Sequence, residues 1–443
     1  MTDAPLRVAV IGAGPAGLYT ADALTFEPSL PVVVDVLDRL PVPFGLLRYG
    51  VAPDHLNIKA AGDALQEVLE RDPVRLFCNV AVGTDVTVDE VRERYDAVFY
   101  AIGASQDRRL GIPGEDLPGS SSATSFVNWY NGHPEQPPLQ VIDAQSVAVI
   151  GIGNVAIDVA RILLKDPEEL THTDAPQAVL DVLRKSAVRD VHIVGRRGPA
   201  EAKFTPKELK ELGELDGVEV HVDPSAVPPE DPQGARPPVR RNLAVLREWA
   251  ARKPTGAPKR LHLHFGATPA AVLGQDRVTG LSVQTSDGAH DLPCQLVLRS
   301  IGYRSVPLPG VPFDDDSGTI PSEASRVIRK GQAAAGEYVV GWVRRGATGI
   351  LGTNRSDAMD AVARLNEDVP DLLARRTSVP SGVEGLLHER GVEPVDLDAW
   401  AAILEREAEH GAPHGRGRVK LAHLAELLDA AGVRATIRTP PSV

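Results

Sequence analysis

Two short glycine runs in this chain have the residue types and spacing to hold phosphate. Gly12-Ala13-Gly14-Pro15-Ala16-Gly17 follows an apolar run and precedes a helical one, and Gly151-Ile152-Gly153-Asn154-Val155-Ala156 repeats the arrangement more than a hundred residues later. In such a turn the first glycine permits the tight reversal and the second lets backbone approach a pyrophosphate. The third small residue lets helix and strand pack closely. The helix that follows presents unpaired N–H groups and the positive end of its dipole to the phosphates. Two such turns imply two dinucleotides, and two dinucleotides side by side imply electron transfer between them.

What ends the next strand separates the two turns. Asp38 stands 21 residues past Gly17, where a carboxylate accepts hydrogen bonds from adenosine ribose hydroxyls. After the second turn the corresponding strand ends in Arg196-Arg197. An acid would repel a 2′-phosphate, whereas a guanidinium binds it bidentately, which points to NADP(H) over NAD(H). The interval to this arginine pair exceeds the usual ~20 residues because extra helical sequence, 167–187, intervenes.

A third glycine-rich stretch, Gly341 to Asn354, follows a strand at Tyr338–Val340. Many flavoproteins built from two dinucleotide domains carry Gly-Asp at this point; here Trp342 replaces the acid. A helix N-terminus at such a place would stabilise negative charge on a reduced flavin. His55 closes the constrained loop Arg39–Asp54, and its spacing alone reads as a loop histidine with a local hydrogen bond.

These residues need elements to position them. Apolar runs predict strands at Val8–Ile11, Val32–Leu37, Val74–Val82 and Ala97–Ile102, with helices at Ala16–Leu24 and Ile58–Glu70. A connector over 108–145 carries a helix at Thr124–Asn131. A second α/β unit follows, with strands at Val147–Ile150, Val191–Val194, Val218–Val222 and Leu296–Ser300 and helices at Val155–Leu164, Pro206–Leu215 and Leu243–Arg252. Alternation in Leu261–Phe265 and Val278–Gln284 suggests an antiparallel insert. A helix at Asp357–Glu367 and two amphipathic stretches in the tail, Leu397–Glu407 and Leu421–Ala431, complete the chain.

Composition narrows the classes. A net charge of −13 argues against general nucleic-acid binding. No run of 18 or more apolar residues predicts a membrane span, and no signal peptide or presequence pattern precedes Leu6, so a cytoplasmic protein is expected. Cys78 and Cys294 are too few and too far apart for a redox C-x-x-C pair or a four-thiolate iron–sulfur cluster. The expected state is a monomer, since no apolar interface stripe is evident.

In these motifs the chain resembles the ferredoxin–NADP reductases of the adrenodoxin reductase type, in particular their actinobacterial branch. The stretches that carry the resemblance are V-A-V-I-G-A-G-P-A-G, G-L-L-R-Y-G-V-A-P-D-H, R-Y-D-A-V-F-Y-A-I-G-A, I-P-G-E-D-L-P-G, G-N-V-A-I-D-V-A-R, V-G-R-R-G-P, F-D-D-D-S-G-T-I-P and E-Y-V-V-G-W-V-R-R-G-A-T-G-I-L-G-T-N, in order from residue 8 to residue 354. The resemblance implies an α/β fold of two Rossmann-like dinucleotide-binding domains, the NADP domain (108–330) inserted into an FAD domain (1–107 and 331–443, the latter with a helical tail). It implies FAD contacts from Gly12, Ala13, Gly14, Pro15, Ala16, Gly17, Asp38 (where the family more often has Glu), Arg39, Gly45, Leu46, Val82, Gly103, Trp342, Gly349, Ile350 and Leu351. Gly153, Asn154, Val155, Arg196, Arg197, Glu208 and Gly349 would contact NADP. His55 and Glu211 match polar positions near where nicotinamide meets flavin, with tuning roles.

The partner implied is a ferredoxin. Ferredoxins are typically acidic, so a basic face is expected at Arg240, Arg241 and Arg247 and near the flavin at Arg344 and Arg345. Two other readings stay open on sequence. One is a different NADPH flavoenzyme, such as a monooxygenase or an electron donor like the glutamate synthase small subunit, the latter disfavoured by the missing cysteine clusters. The other is a non-enzymatic FAD/NADP sensor.

Overall fold

The computed structural model describes residues 4–26, 28, 30–139, 143–376 and 381–434. They divide into two compact units, one drawn from Met1–Val51, His55–Gln106 and Tyr303–Val443 and the other from Ala52–Asp54 and Asp107–Gly302. The end of the expected tail, 435–443, lies outside the described residues.

The first unit is built on a seven-stranded sheet. Five strands run parallel in the order Val74–Phe77, Val32–Leu37, Leu6–Ile11, Ala97–Tyr100, Gln332–Val339. Both faces are covered, which is why these strands read as continuous apolar runs. Val8, Val10, Val34 and Val36 pack under the helices Pro15–Thr25, Ala61–Leu69 and Leu351–Arg375, and Ala9, Ile11, Val98 and Val339 pack on the opposite face against Val88 and Val91. Arg326–Arg329 and Ser322–Glu323 add antiparallel to the edge. The chain therefore rejoins this unit at Tyr303, not at the expected 331. Those short strands fix it there by pairing onto Gln332–Val339, where buried Glu337 accepts two hydrogen bonds from Arg329 (both 2.7 Å) and one from the Tyr100 hydroxyl (2.7 Å).

The tail docks on the same unit. In the helix Leu397–Gly411, Glu407 is fully buried. Its carboxylate accepts the Arg48 guanidinium and the Leu421 N–H (3.0 Å), while the Lys420 ammonium donates to the Arg48 carbonyl (3.1 Å). Arg48 lies in a short helix, Gly45–Tyr49, inside the stretch expected as a loop.

The second unit holds six parallel strands in the order Ser120–Ser122, Leu296–Arg299, Ser146–Ile150, Asp190–Val194, Lys259–His264, Val218–Val222. One face, with Val147, Val149, Val191, Ile193, Leu261 and Leu263, packs under helices that include Asn154–Leu164, Pro206–Leu212 and Pro237–Ala250. The residues Leu261–Phe265 thus correct the sequence expectation. They belong to a parallel strand in the main sheet, and the antiparallel insert consists of Thr268–Leu273, Gly280–Thr285 and Gly288–Pro293.

The reason lies on the other face of that strand. His262 sits in register with His192 on one side and with His221 on the other. The rings stack, His192 to His262 at 4.5 Å, His221 to His262 at 4.9 Å and His192 to His264 at 5.2 Å. His192 Nδ1 and His264 Nε2 lie 3.0 Å apart, sharing a hydrogen, and His262 Nε2 is 3.0 Å from Asp190.

Burial first, and then the charge each neighbouring histidine would carry, push His192 down to about 3 and His264 to about 4. An unfolded chain protonates its histidines near 6.5, so below that pH the unfolded form binds more protons than the folded one. Stability of the second unit is level above pH 6.5 and falls between 6.5 and 4 by up to about 1.4 kcal/mol per pH unit for each of the two rings. Urea midpoints at pH 7.5 and pH 5.0 check this: the lower pH gives the lower midpoint, and equal midpoints would refute it.

Candidate functional site

Each glycine turn crosses its sheet where the strand order reverses. In the first unit, the chain moves from Leu6–Ile11 outward to Val32–Leu37 and then returns to the other side at Ala97–Tyr100. In the second unit, Ser146–Ile150 has Asp190–Val194 on one side and Leu296–Arg299 on the other. Open α/β sheets bind ligands at such points, outside the carboxyl ends of the strands. Only glycine fits the crossing. Gly12 has φ +113°, and a Cβ there would stand 2.5 Å from the Ala101 carbonyl oxygen. Gly151 has φ +140°, and its Cβ would stand 2.1 Å from the Ser300 carbonyl oxygen.

The helices that follow start at uncapped glycines. Gly14 precedes Pro15–Thr25 and Gly153 precedes Asn154–Leu164, neither with a side-chain cap, so their first N–H groups are open to an anion. A Cβ on Gly153 would meet nothing within 4 Å, so the backbone itself lines open space there. This is a cradle that suits a pyrophosphate.

In the first unit, several of the residues expected at a flavin dinucleotide follow the carboxyl ends of parallel strands. Gly12 to Gly17 follow the first strand, Asp38 and Arg39 the second, Val82 comes after Val74–Phe77, Gly103 after Ala97–Tyr100, and Trp342 after Gln332–Val339. The Asp38 carboxylate accepts two backbone donors: its Oδ2 accepts the Ala13 N–H (2.8 Å) and its Oδ1 the Leu40 N–H (2.9 Å), pinning the glycine turn to its own loop. A longer acid would reach past that turn, and the shorter Asp braces it. The Phe44 N–H donates to the Ala13 carbonyl (2.8 Å), and the Cα of Gly14 lies 3.1 Å from where a Gly45 Cβ would be, bringing Gly45 and Leu46 beside the turn.

Gly103 is held by the Ser305 hydroxyl on its carbonyl (2.7 Å). Trp342 is half-buried, its ring 5.5 Å from that of Tyr303. Gly349 and Ile350 are exposed and lead into Leu351 at the start of the long helix. His55 is buried, and its carbonyl accepts the N–H groups of Ile58 and Lys59, both at 3.0 Å.

Arg344 and Arg345 were expected on a docking surface, but they turn onto Asp357 instead. Arg345 reaches Asp357 Oδ2 at 2.7 Å and Asn354 Oδ1 at 2.6 Å, Arg344 pairs with the other Asp357 oxygen, and the same carboxylate accepts the Gly341 N–H. Burial lowers Arg345 from its ordinary range despite Asp357. The pair braces the strand-to-helix turn.

The second unit arranges the remaining residues around the second turn. Asn154 Oδ1 accepts the Thr205 N–H (2.9 Å), which ties the glycine turn to the start of Pro206–Leu212. Arg196 and Arg197 follow Asp190–Val194 and are both exposed, with Glu201 no nearer than 3.9 Å to Arg197. Glu208 and Glu211 project from Pro206–Leu212 toward Arg161, a residue the sequence reading passed over. Arg161, 3% exposed at its side chain, pairs with Glu211 (2.7 Å), Asp158 (2.9 Å), Asp54 (3.0 Å) and Glu208 (3.6 Å). Burial alone would lower its guanidinium; Asp158, Asp54 and Glu211 outweigh that and hold it above its ordinary range. Lys165 also binds Asp54, at 3.0 Å. The i,i+3 pair Asp158–Arg161 was the one signal in the sequence. Arg247, expected on the ferredoxin face, is engaged by the Pro228 carbonyl and Asp231, each at 2.8 Å. Arg240 and Arg241 are exposed and carry no partner among the described residues.

Two glycine turns on two parallel sheets define a protein that handles two nucleotides, and the comparison with known families agrees. The chain belongs to the pyridine nucleotide-disulphide oxidoreductase family, whose profile matches residues 6–227. Among its relatives, NADPH-ferredoxin reductase FprA of Mycobacterium tuberculosis is 44% identical over 455 residues, covering 96% of this chain and 98% of that protein. The mitochondrial NADPH:adrenodoxin oxidoreductase of Arabidopsis thaliana is 37% identical and covers 96% and 95%. The solved structure of M. tuberculosis FprA in complex with NADPH matches with a TM-score of 0.92 at 42% identity, over 96% of this chain and 99% of that one. In the described residues no helix is long and apolar enough to cross a membrane.

Proposed function

We propose that this chain is an FAD-dependent ferredoxin–NADP reductase, passing electrons between NADPH and a ferredoxin-type iron–sulfur protein. The observation that carries this reading is the pair of glycine turns, each laid over the switch point of its own parallel sheet. One is followed by an acid and the other by two exposed arginines. The names of the M. tuberculosis and A. thaliana relatives supply the class of electron acceptor.

The first unit is the FAD domain, interrupted by the second as the NADP domain. Bound FAD supplies the adapter chemistry, hydride exchange with nicotinamide and single-electron exchange with an iron–sulfur centre. The chain's own groups do the rest. The N–H groups after Gly14 hold one pyrophosphate and those after Gly153 the other. Asp38 keeps the first turn in shape and offers its carboxylate to the adenosine ribose. Arg196 and Arg197 clamp the 2′-phosphate. Glu208 and Glu211, held by Arg161, set the polarity on the nicotinamide side, and His55 has a tuning role in the FAD domain. The N-terminus of Leu351–Arg375 favours negative charge beside it.

The ferredoxin meets Arg240 and Arg241, the two arginines of the expected basic face left without internal partners. The enzyme works as a monomer in the cytoplasm; its two cysteines, both free and buried, suit a reducing compartment.

Anaerobic stopped-flow mixing tests the reading. NADPH should bleach the flavin absorbance quickly and NADH slowly; no bleaching by either would refute it. Ferredoxin reduction should weaken steeply with added salt, while reduction of a small neutral dye does not. The double variant R240A/R241A should flatten that salt dependence, and an unchanged slope would move the docking face elsewhere.

A further inference from the structure

The histidine stack on the other face of the second sheet plays no part in the reaction above. We propose that His192 and His264 form a chelating site for a divalent first-row transition metal, Ni2+ or Cu2+ in preference to Zn2+. The two ring nitrogens, His192 Nδ1 and His264 Nε2, come from adjacent parallel strands and lie 3.0 Å apart.

A metal bound at about 2.0–2.1 Å from each nitrogen would subtend roughly 95° between them. That matches the cis angle of square-planar or octahedral coordination and falls short of the tetrahedral angle zinc prefers. Both rings are only partly exposed, so a small ion with its remaining waters can reach them. Imidazole is a fitting ligand for these metals.

The surroundings fix the rings. His192 is stacked on His262 at 4.5 Å, and His262 is in turn oriented by Asp190 (3.0 Å). Such outer partners raise ligand order and affinity. Arg260, on the same face, is paired with Asp190 at 2.6 and 2.7 Å. Glu219 is 2.7 Å from His221 and adds negative charge to the same face.

The proton balance is simple. The shared hydrogen moves to the other nitrogen of its own ring, a tautomer shift, and the metal takes the two freed lone pairs with no net proton release.

Equilibrium dialysis of the untagged, metal-stripped holoprotein against NiCl2 at pH 7.5 tests the proposal. One Ni2+ should bind per chain. H192Q and H264Q should each weaken it tenfold or more, and H290Q, on an exposed strand of the insert, should leave it unchanged. Zn2+ should bind more weakly than Ni2+. Should H192Q fail to fold, H264Q, at the end of its strand, carries the test alone. Binding that survives in H264Q overturns the proposal. Neither readout depends on turnover with NADPH, so failure here leaves the reductase reading untouched.

Discussion

Replacing Arg196 and Arg197 together by alanine is expected to lower kcat/KM for NADPH about a hundredfold and to leave the value for NADH unchanged. The two guanidiniums follow the strand next to the second glycine turn, are exposed, and are spared any close internal ion pair. They cost the folded protein little to lose and serve a ligand fully. A hydrogen bond to a charged group contributes about 1.5 kcal/mol at the low end, and about 1.4 kcal/mol is tenfold. Two such bonds therefore give the hundredfold. NADH lacks the 2′-phosphate and feels neither loss. Steady-state kinetics with both nucleotides at fixed ionic strength decide it. An equal fall for NADH would mean the arginines hold the pyrophosphate or the turn itself, and no fall would place the 2′-phosphate elsewhere.

The second large effect concerns the tail. Glu407→Ala should destabilise the first unit by about 3–5 kcal/mol, because it strands the buried Arg48 guanidinium without a partner. Glu407 is fully buried and Arg48 is 5% exposed. The same carboxylate caps the Leu421 N–H at 3.0 Å, so a second polar group is orphaned as well. For a unit of this size the melting temperature should drop by roughly 10 °C. The flavin should be released at that lower temperature, since Arg48 lies in Gly45–Tyr49, the helix that closes on the first glycine turn. Thermal scans following flavin fluorescence report both. Glu407→Gln keeps two hydrogen bonds and should fall between the two. A melting curve matching the native protein would show that the tail is an appendage.

Much of this was legible in the sequence, and the places that were not share a physical cause. The parallel strands of the first sheet announced themselves as apolar runs because helices cover both faces. Leu261 to His264 alternates, leucine in and histidine out. Alternation ordinarily marks an antiparallel strand, but here it marks a parallel one whose second face carries partly exposed histidines. The helix expected over Asp357–Glu367 runs from Leu351 to Arg375 and carries Pro370 within it, the residue that most strongly signals an end. The glycine turns were legible because they are local, written in six consecutive residues. Arg161 was missed because Asp54 and Glu211, which give it meaning, are far away in sequence. Arg344 and Arg345 read as a surface pair for the mirror-image reason: consecutive arginines look like a surface until the partner, Asp357, arrives 13 and 12 residues later.

The order of the seven-stranded sheet also sets a timetable for biosynthesis. Ala97–Tyr100 is an interior strand whose outer neighbour is Gln332–Val339. The ribosome makes all of the second unit except Ala52–Asp54 between the two. At roughly 5–20 residues per second, the half-built sheet waits on the order of 10–50 s with a bare apolar edge, a template for wrong pairing. The interrupting unit, continuous apart from three residues that precede it, can fold in that interval. A nascent chain stalled anywhere before residue 339 would therefore be the form most in need of a chaperone, and flavin capture is an event of the finished chain.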